Sequence, residues 1–306
     1  MEEDHWDEVI KIYSVHFYIF LVITMIYSPL RYPGGKGKLT PVIKSIIEHS
    51  NHEGDVYIEP FAGGAAVALN LLFENVASEI VINDLDKGVY SFWRAILEET
   101  DRFIDQIMMS PLTMEEWGRQ RNILLSNQTK YSFELGFATF FMNRTNRSGI
   151  IKAGVIGGKS QKGKWKIDAR FNKEDLVNRI IRIAKKKKQI HLYNKDVCSL
   201  LYRYVPRFGS KAFMYLDPPY YYKGQQLYLN FFSKEDHCRI EKYLRERVCL
   251  DWVITYDDVR EIEKIYENYF VRKINLRYSA AVKKEAVEIM VFKNESLIPD
   301  NFGEWY

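Results

Sequence analysis

Short apolar runs bounded by polar or turn-forming residues alternate along this chain with stretches whose apolar positions recur at helical spacing. The runs that read as strands are Val56 to Glu59, Glu79 to Asp84, Ile190 to Asn194, Ala212 to Leu216, Trp252 to Tyr256, Val271 to Tyr278 and Val287 to Phe292. Strands separated by helical patterns predict a parallel sheet with crossover helices. The last two runs are joined by Ser279 to Ala286, too short for a helical crossover, so they pair as an antiparallel hairpin at a sheet edge. The predicted fold class is α/β, a doubly wound, Rossmann-like sheet of seven strands with one reversed strand.

Over a hundred residues separate the second and third runs, far beyond a normal connection, which predicts an insertion. Tyr90 to Ile107 reads as one helix returning to the sheet, and Met114 to Leu125 and Phe133 to Met142 as further helices. Asn143 to Gly149 and the Gly/Lys-rich stretch Gly154 to Lys164 have too little apolar content for core and read as loop or hairpin. The domain reading is therefore a discontinuous sheet domain (26–100 and 190–295), an inserted domain (101–189) and a tail (296–306), after an N-terminal extension (1–25) of open role.

That extension carries a second question. Tyr13 to Leu30 contains no Asp, Glu, Lys or Arg, which approaches the length of a membrane span. Ser14, His16, Thr24 and Ser28 dilute it, and the preceding acids Glu2, Glu3, Asp4, Asp7 and Glu8 are opposite to a signal peptide's basic start. Membrane association is disfavoured, and Met25 as the natural start is a third possibility.

Charge is segregated. From Arg144 to Lys188 there are fifteen Lys or Arg and three acids (Asp168, Glu174, Asp175), an excess of +12 within a chain of net charge +4. Such a stretch suits a polyphosphate partner, because each neutralised phosphate releases counterions; Lys185 to Lys188 alone equally fits a solvated helix end. Cys198, Cys238 and Cys249 have neither Cys-x-x-Cys spacing nor a nearby histidine pair, so no disulfide framework or metal site is indicated and a cytoplasmic setting fits.

Candidate chemistry gathers where strands end. In a doubly wound sheet ligands bind beyond the carboxyl ends of the strands, and Glu59, Asp84 and Asp217 each close a run while Asp196 lies just past one. Glu59-Pro60-Phe61-Ala62-Gly63-Gly64 is a strand end, a tight turn and a helix start, able to bring a ligand close to the backbone or simply to pack tightly. Asp84 is placed to hold two ribose hydroxyls, or equally to cap the following helix. Arg31-Tyr32-Pro33-Gly34-Gly35-Lys36 lacks P-loop spacing. Most informative is Asp217-Pro218-Pro219-Tyr220. The prolines cannot continue a sheet ladder, the turn's carbonyls are free to accept hydrogen bonds, Asp217 adds a carboxylate acceptor, and Tyr220 offers a face for a flat heterocycle. That set suits an exocyclic amine; Pro-Pro-Tyr alone equally fits a Pro-rich turn after a strand.

These segments, in the order Arg31 to Lys36, Glu59 to Gly64, basic insertion, Asp217 to Tyr220, resemble the Dam-type (D12 class, alpha arrangement) DNA N6-adenine methyltransferases over most of the chain from about Tyr27 to Asn294. The resemblance implies a methyltransferase sheet with an inserted helical and hairpin DNA-recognition domain, S-adenosylmethionine as cofactor and double-stranded DNA as partner. It implies that Tyr32, where the family commonly has Trp, lies near the cofactor's adenine. Gly35 and Lys36 would border the cofactor, Lys36 between it and the catalytic loop, with Glu59, Phe61 and Gly63 lining the methionine end. Asp84 would take the ribose hydroxyls and Asp196 the cofactor's adenine amine, while Asp217, Pro218, Pro219 and Tyr220 carry catalysis. Asn143, Arg144, Asn146, Arg147, Lys152, Lys162 and Lys164 would face DNA. The implied reaction is direct methyl transfer to N6 of a flipped-out adenine, without a covalent enzyme intermediate. Cytosine-N4 methylation, more often associated with Ser in place of Asp217, and a catalytically silent DNA-binding protein are the rival readings.

Overall fold

The computed structural model of this chain describes residues 26–31, 36–126, 129–222, 232–278 and 284–303. The extension 1–25, Tyr32 and Gly35 lie outside the described residues. Among the described residues no helix is long and apolar enough to cross a membrane.

The seven strands are β1 (Val56–Glu59), β2 (Glu79–Asn83), β3 (Ile190–Tyr193), β4 (Ala212–Leu216), β5 (Asp251–Asp257), β6 (Phe270–Tyr278) and β7 (Lys284–Phe292). They form one sheet in the order β3-β2-β1-β4-β5-β7-β6. The first five run parallel, and β7 is antiparallel to both β5 and β6, as the short connection requires. The chain order reverses between β1 and β4, which opens a crevice at their carboxyl ends.

Central strands of a covered parallel sheet are apolar on both faces, and every residue of β4 is buried. Phe213 and Tyr215 join the apolar layer beneath the helices Thr40–His49, Ala66–Phe73 and Lys87–Glu98. Ala212, Met214 and Leu216 point into the opposite layer, with Val197–Arg203, Lys234–Arg247 and Arg260–Ile265. This alternation places Asp217 at the mouth of the crevice, where the apolar run stops.

The insertion shares the first of these layers. Instead of one helix over Tyr90 to Ile107, the chain forms Lys87–Glu98 and Thr100–Met109, broken at Glu99. The bend carries Phe103 into an aromatic cluster, with ring centroids 5.8 Å from Phe92 and 5.4 Å from both Phe137 and Phe140. Phe103 is fully buried there, and burial of its ring stabilises the bend. The helix Phe133–Thr145 lies directly against Lys87–Glu98 because Gly136 has no side chain; a Cβ there would stand 2.5 Å from the Ser91 carbonyl oxygen. The segment from Gly154 onward is a series of turns closed by a single antiparallel bridge, Asn146 to Val155.

Candidate active site and DNA-facing loop

The turn after β4 is held from three sides. Thr255 of β5 donates to Asp217 Oδ1 at 3.2 Å and shares a 2.8 Å hydrogen bond with the Tyr215 hydroxyl. Lys36 Nζ stands 3.3 Å from Asp217 Oδ1, hydrogen-bonds the Tyr220 hydroxyl at 2.5 Å and pairs with Glu288 at 2.6 Å. The Tyr220 hydroxyl in turn donates to Glu288. Beyond the motif, Asp257 at the end of β5 accepts the backbone N–H of Tyr221 at 3.0 Å and of Tyr222 at 3.4 Å. Burial pushes the Asp217 carboxyl up to about 6; the Glu288 charge adds to this and Lys36 opposes it.

The other strand-end acids occupy defined positions. The Asp84 carboxylate accepts the N–H of Gly63 and of Asp86, each at 2.9 Å, and burial with the neighbouring Asp86 charge pushes it up to about 7. Glu59 is buried and accepts the Ala68 N–H at 3.2 Å inside the first turn of its helix; desolvation moves its pKa well up. Asn83, at the end of β2, donates to the carbonyls of Pro60 (2.9 Å) and Lys195 (3.1 Å), lacing together the ends of β1, β2 and β3. Asp196 caps Val197–Arg203 through the N–H groups of Cys198 and Ser199 and faces Arg239 at 3.3 Å, beside an open cavity of about 240 Å³. Phe61 meets Phe232 edge-on at 5.8 Å.

The structure therefore brings Lys36, Asp217 and Tyr220 into one cluster and Gly63 against Asp84, while Asp196 stands apart on its own cap. Three residues of the cluster are absent from the sequence expectations: Thr255, Asp257 and Glu288. A sequence signal for Glu288 exists, since it is a carboxylate inside the apolar run Val287 to Phe292 and is 1% exposed.

Three of the residues expected to face DNA are buried. Asn143 is buried, accepting the Arg31 N–H at 2.7 Å and donating to the carbonyls of Arg31 (2.8 Å) and Gly149 (2.9 Å). Asn146 is also buried, accepting from Trp117 at 2.8 Å and donating to Ile151 at 2.8 Å. Their amides match several backbone groups at once, and that satisfaction keeps them inside. Gly149 (φ +75°) completes the junction, because a Cβ there would lie 2.0 Å from the Arg31 carbonyl oxygen. Arg144 is buried too, its Nε meeting no hydrogen-bond acceptor among the described residues, and burial pulls its pKa down to about 9. Arg147, Lys152, Lys162 and Lys164 are exposed, as a phosphate-facing surface needs. Their loop is fixed from within: Gln161 donates to the carbonyls of Ile156 (2.8 Å) and Gly158 (2.7 Å) and accepts the Ile167 N–H at 2.9 Å. It displays Trp165, 64% exposed, among the lysines.

A five-parallel-strand sheet with an antiparallel end hairpin, and acids at the carboxyl ends of its strands around an Asp-Pro-Pro-Tyr turn, is consistent with an S-adenosylmethionine-dependent methyltransferase, the class to which the family match assigns the chain. The chain belongs to the D12 class N6 adenine-specific DNA methyltransferases, whose family profile matches residues 32–285. It is 23% identical over 266 residues to the type II methyltransferase M.MjaIII of Methanocaldococcus jannaschii, covering 80% of this chain and 89% of that protein. It is 24% identical over 260 residues to the type II methyltransferase M.CviBI of Paramecium bursaria Chlorella virus NC1A, covering 81% and 90%. A solved structure, an uncharacterized protein from Listeria monocytogenes serotype 4b, aligns over 82% of this chain and 67% of its own at 6% identity with a TM-score of 0.36, too distant to inform the fold. The enzyme thus transfers a methyl group from S-adenosylmethionine to adenine N6 in double-stranded DNA.

Proposed function

We propose that the reacting adenine is flipped out of a specific duplex site into the crevice beside β4, and that Asp217, Pro218, Pro219 and Tyr220 grip it there. The observation that carries this reading is the Asp217 carboxylate, partly exposed at the carboxyl end of the central strand and 3.3 Å from Lys36. Adenine N6 is a poor nucleophile because its lone pair is delocalised into the ring. Hydrogen bonds from N6 to Asp217 and to the Pro218 carbonyl pull the nitrogen toward tetrahedral geometry and localise that pair. Asp217 then receives the proton that N6 sheds as it gains the methyl group, a task suited to a carboxyl moved to about 6. Orientation of N6 supplies much of the rate, and the base reaches the site only by leaving the stack.

The residues fit the cofactor by charge and by backbone. Acids surround the crevice, which suits a cationic sulfonium, and the tight turn at Ala62 to Gly64 keeps side-chain bulk off the ligand. S-Adenosylmethionine supplies a methyl group activated on positively charged sulfur. Glu59, Phe61 and Gly63 would hold its amino-acid end, Asp84 its ribose, Asp196 its adenine, and Lys36 and Asp217 would border the methyl.

The unit 26–100 with 190–295 carries catalysis and 101–189 carries recognition. On the recognition unit Arg147, Lys152, Lys162 and Lys164 follow the phosphates, with Trp165 offering an aromatic face beside the bases. The free thiols Cys198, Cys238 and Cys249 support action in the reducing cytoplasm. Digestion of duplex DNA treated with enzyme and S-adenosylmethionine, followed by mass analysis of nucleosides, tests the reading. N6-Methyladenine at one sequence supports it, and N4-methylcytosine or no product refutes it.

A further inference from the structure

We propose that Glu288 of β7 is a positioning residue for methyl transfer, holding the Lys36 ammonium away from Asp217 so that the Asp217 carboxylate stays available to the substrate amine. The inference rests on the reading of Asp217 as the N6 acceptor. Its basis is an asymmetry in the cluster: Lys36 Nζ lies 2.6 Å from Glu288 Oε2 and 3.3 Å from Asp217 Oδ1. One ammonium is shared by two carboxylates, Asp217 partly exposed and Glu288 buried, and leans toward the one farther from the motif. A one-to-one pair with Asp217 would close to full hydrogen-bond contact and occupy the lone pairs that the amine needs. Glu288 also accepts from the Tyr220 hydroxyl, so a single carboxylate sets both the cation and the aromatic ring of the motif. Lys36 Nζ lies 4.8 Å from the centre of that ring, which ties the two together.

The sheet explains why this carboxylate comes from β7. Glu288 is the direct antiparallel partner of Asp257, whose own carboxylate holds the backbone of Tyr221 and Tyr222. Adjacent positions on β5 and β7 thereby hold the Tyr220 hydroxyl and the backbone that follows it. The reversed terminal hairpin, which a purely parallel sheet would lack, delivers this second acid.

Removing the charge while keeping the shape isolates the role. In E288Q, Lys36 is expected to settle on Asp217. Turnover should fall by about 30-fold or more, with the Kd for S-adenosylmethionine and the KM for DNA within about threefold, since misplacement at the reacting atom acts on kcat. A structural role alone would not move the acid limb of the kcat–pH profile, whereas loss of the Glu288 charge should lower it by about one pH unit. Among the described residues, other ionisable groups coupled to Asp217 include Glu59 on β1, which the substitution leaves unchanged, and Tyr57, Tyr215 and Tyr256, which burial keeps neutral. An acid limb at the wild-type pH, or turnover within about threefold of wild type, overturns the proposal. If E288Q fails to bind S-adenosylmethionine, E288D carries the test: its charge is kept and its reach shortened, so reduced turnover with an unmoved acid limb supports the role and wild-type turnover refutes it. Wild-type enzyme assayed for N6-methyladenine in parallel separates failure of this inference from failure of the catalytic reading.

Discussion

Asp217 should weaken the fold that it serves. Its carboxyl is raised from 3.8 to about 6 by burial, so the folded protein binds that proton more tightly than the unfolded chain does. The stability linked to this group is fully present below about pH 4, where both states are protonated, and is lost as pH rises through about 6. At neutral pH the ionised site therefore costs about 3 kcal/mol relative to an unburied carboxylate, an order-of-magnitude figure from the width of that interval. Asp217→Asn removes the charge, keeps the shape and leaves Lys36 with Glu288, a balanced pair at 2.6 Å. The variant should be more stable than wild type by about 1–3 kcal/mol at pH 7.5, allowing for the altered hydrogen bond with Thr255, and should lose methyl transfer. The gain should shrink steadily between about pH 6 and pH 4. Urea denaturation of both proteins at several pH values reads this directly. A D217N protein equal to or less stable than wild type at pH 7.5, or a difference that does not vary with pH, would refute the reasoning.

Other consequences are as accessible. Asp84, moved to about 7, should be mostly neutral at pH 6, so the Kd for S-adenosylmethionine measured by calorimetry should rise up to about tenfold between pH 8 and pH 6, and an Asp84→Asn variant should show weaker binding with a smaller change over that interval. Asn143→Ala removes an amide that satisfies Arg31 and Gly149, and should cost about 2–4 kcal/mol in urea denaturation. Alanine at Lys162 or Lys164 should weaken binding to all duplexes alike and reduce the slope of log K against log salt by about 0.9 for each phosphate left unneutralised. Trp165→Ala, by contrast, should lower affinity with little change in that slope, as fluorescence titration across salt concentrations would reveal.

What the sequence disclosed depended on whether a residue's job was local. The bounds of β1 and β4 were legible to the residue, because their apolar runs end at Glu59-Pro60 and at Asp217-Pro218, where proline forbids continuation. The antiparallel edge followed from the length of one connection. Long-range pairings were not legible. Nothing near Glu288 in the chain announces Lys36, 252 positions away, and the two meet only because β7 inserts between β5 and β6. Asn143 and Asn146 resembled surface polar residues because their type ordinarily is; their burial depends on carbonyl and N–H groups supplied by Arg31, Gly149, Trp117 and Ile151. The break at Glu99 was hidden for the same reason, since Phe103 turns toward aromatic partners on the later helix Phe133–Thr145.

The central claim is that the Asp217-Pro218-Pro219-Tyr220 turn presents N6 of adenine, and no other amine, to the methyl donor. Methylation of a duplex library with labelled S-adenosylmethionine, followed by nucleoside mass analysis and sequencing of the modified positions, tests it most directly. The account predicts label in N6-methyladenine at one sequence context and its loss in D217N. Label in N4-methylcytosine, or undiminished N6-methyladenine from D217N, would contradict it.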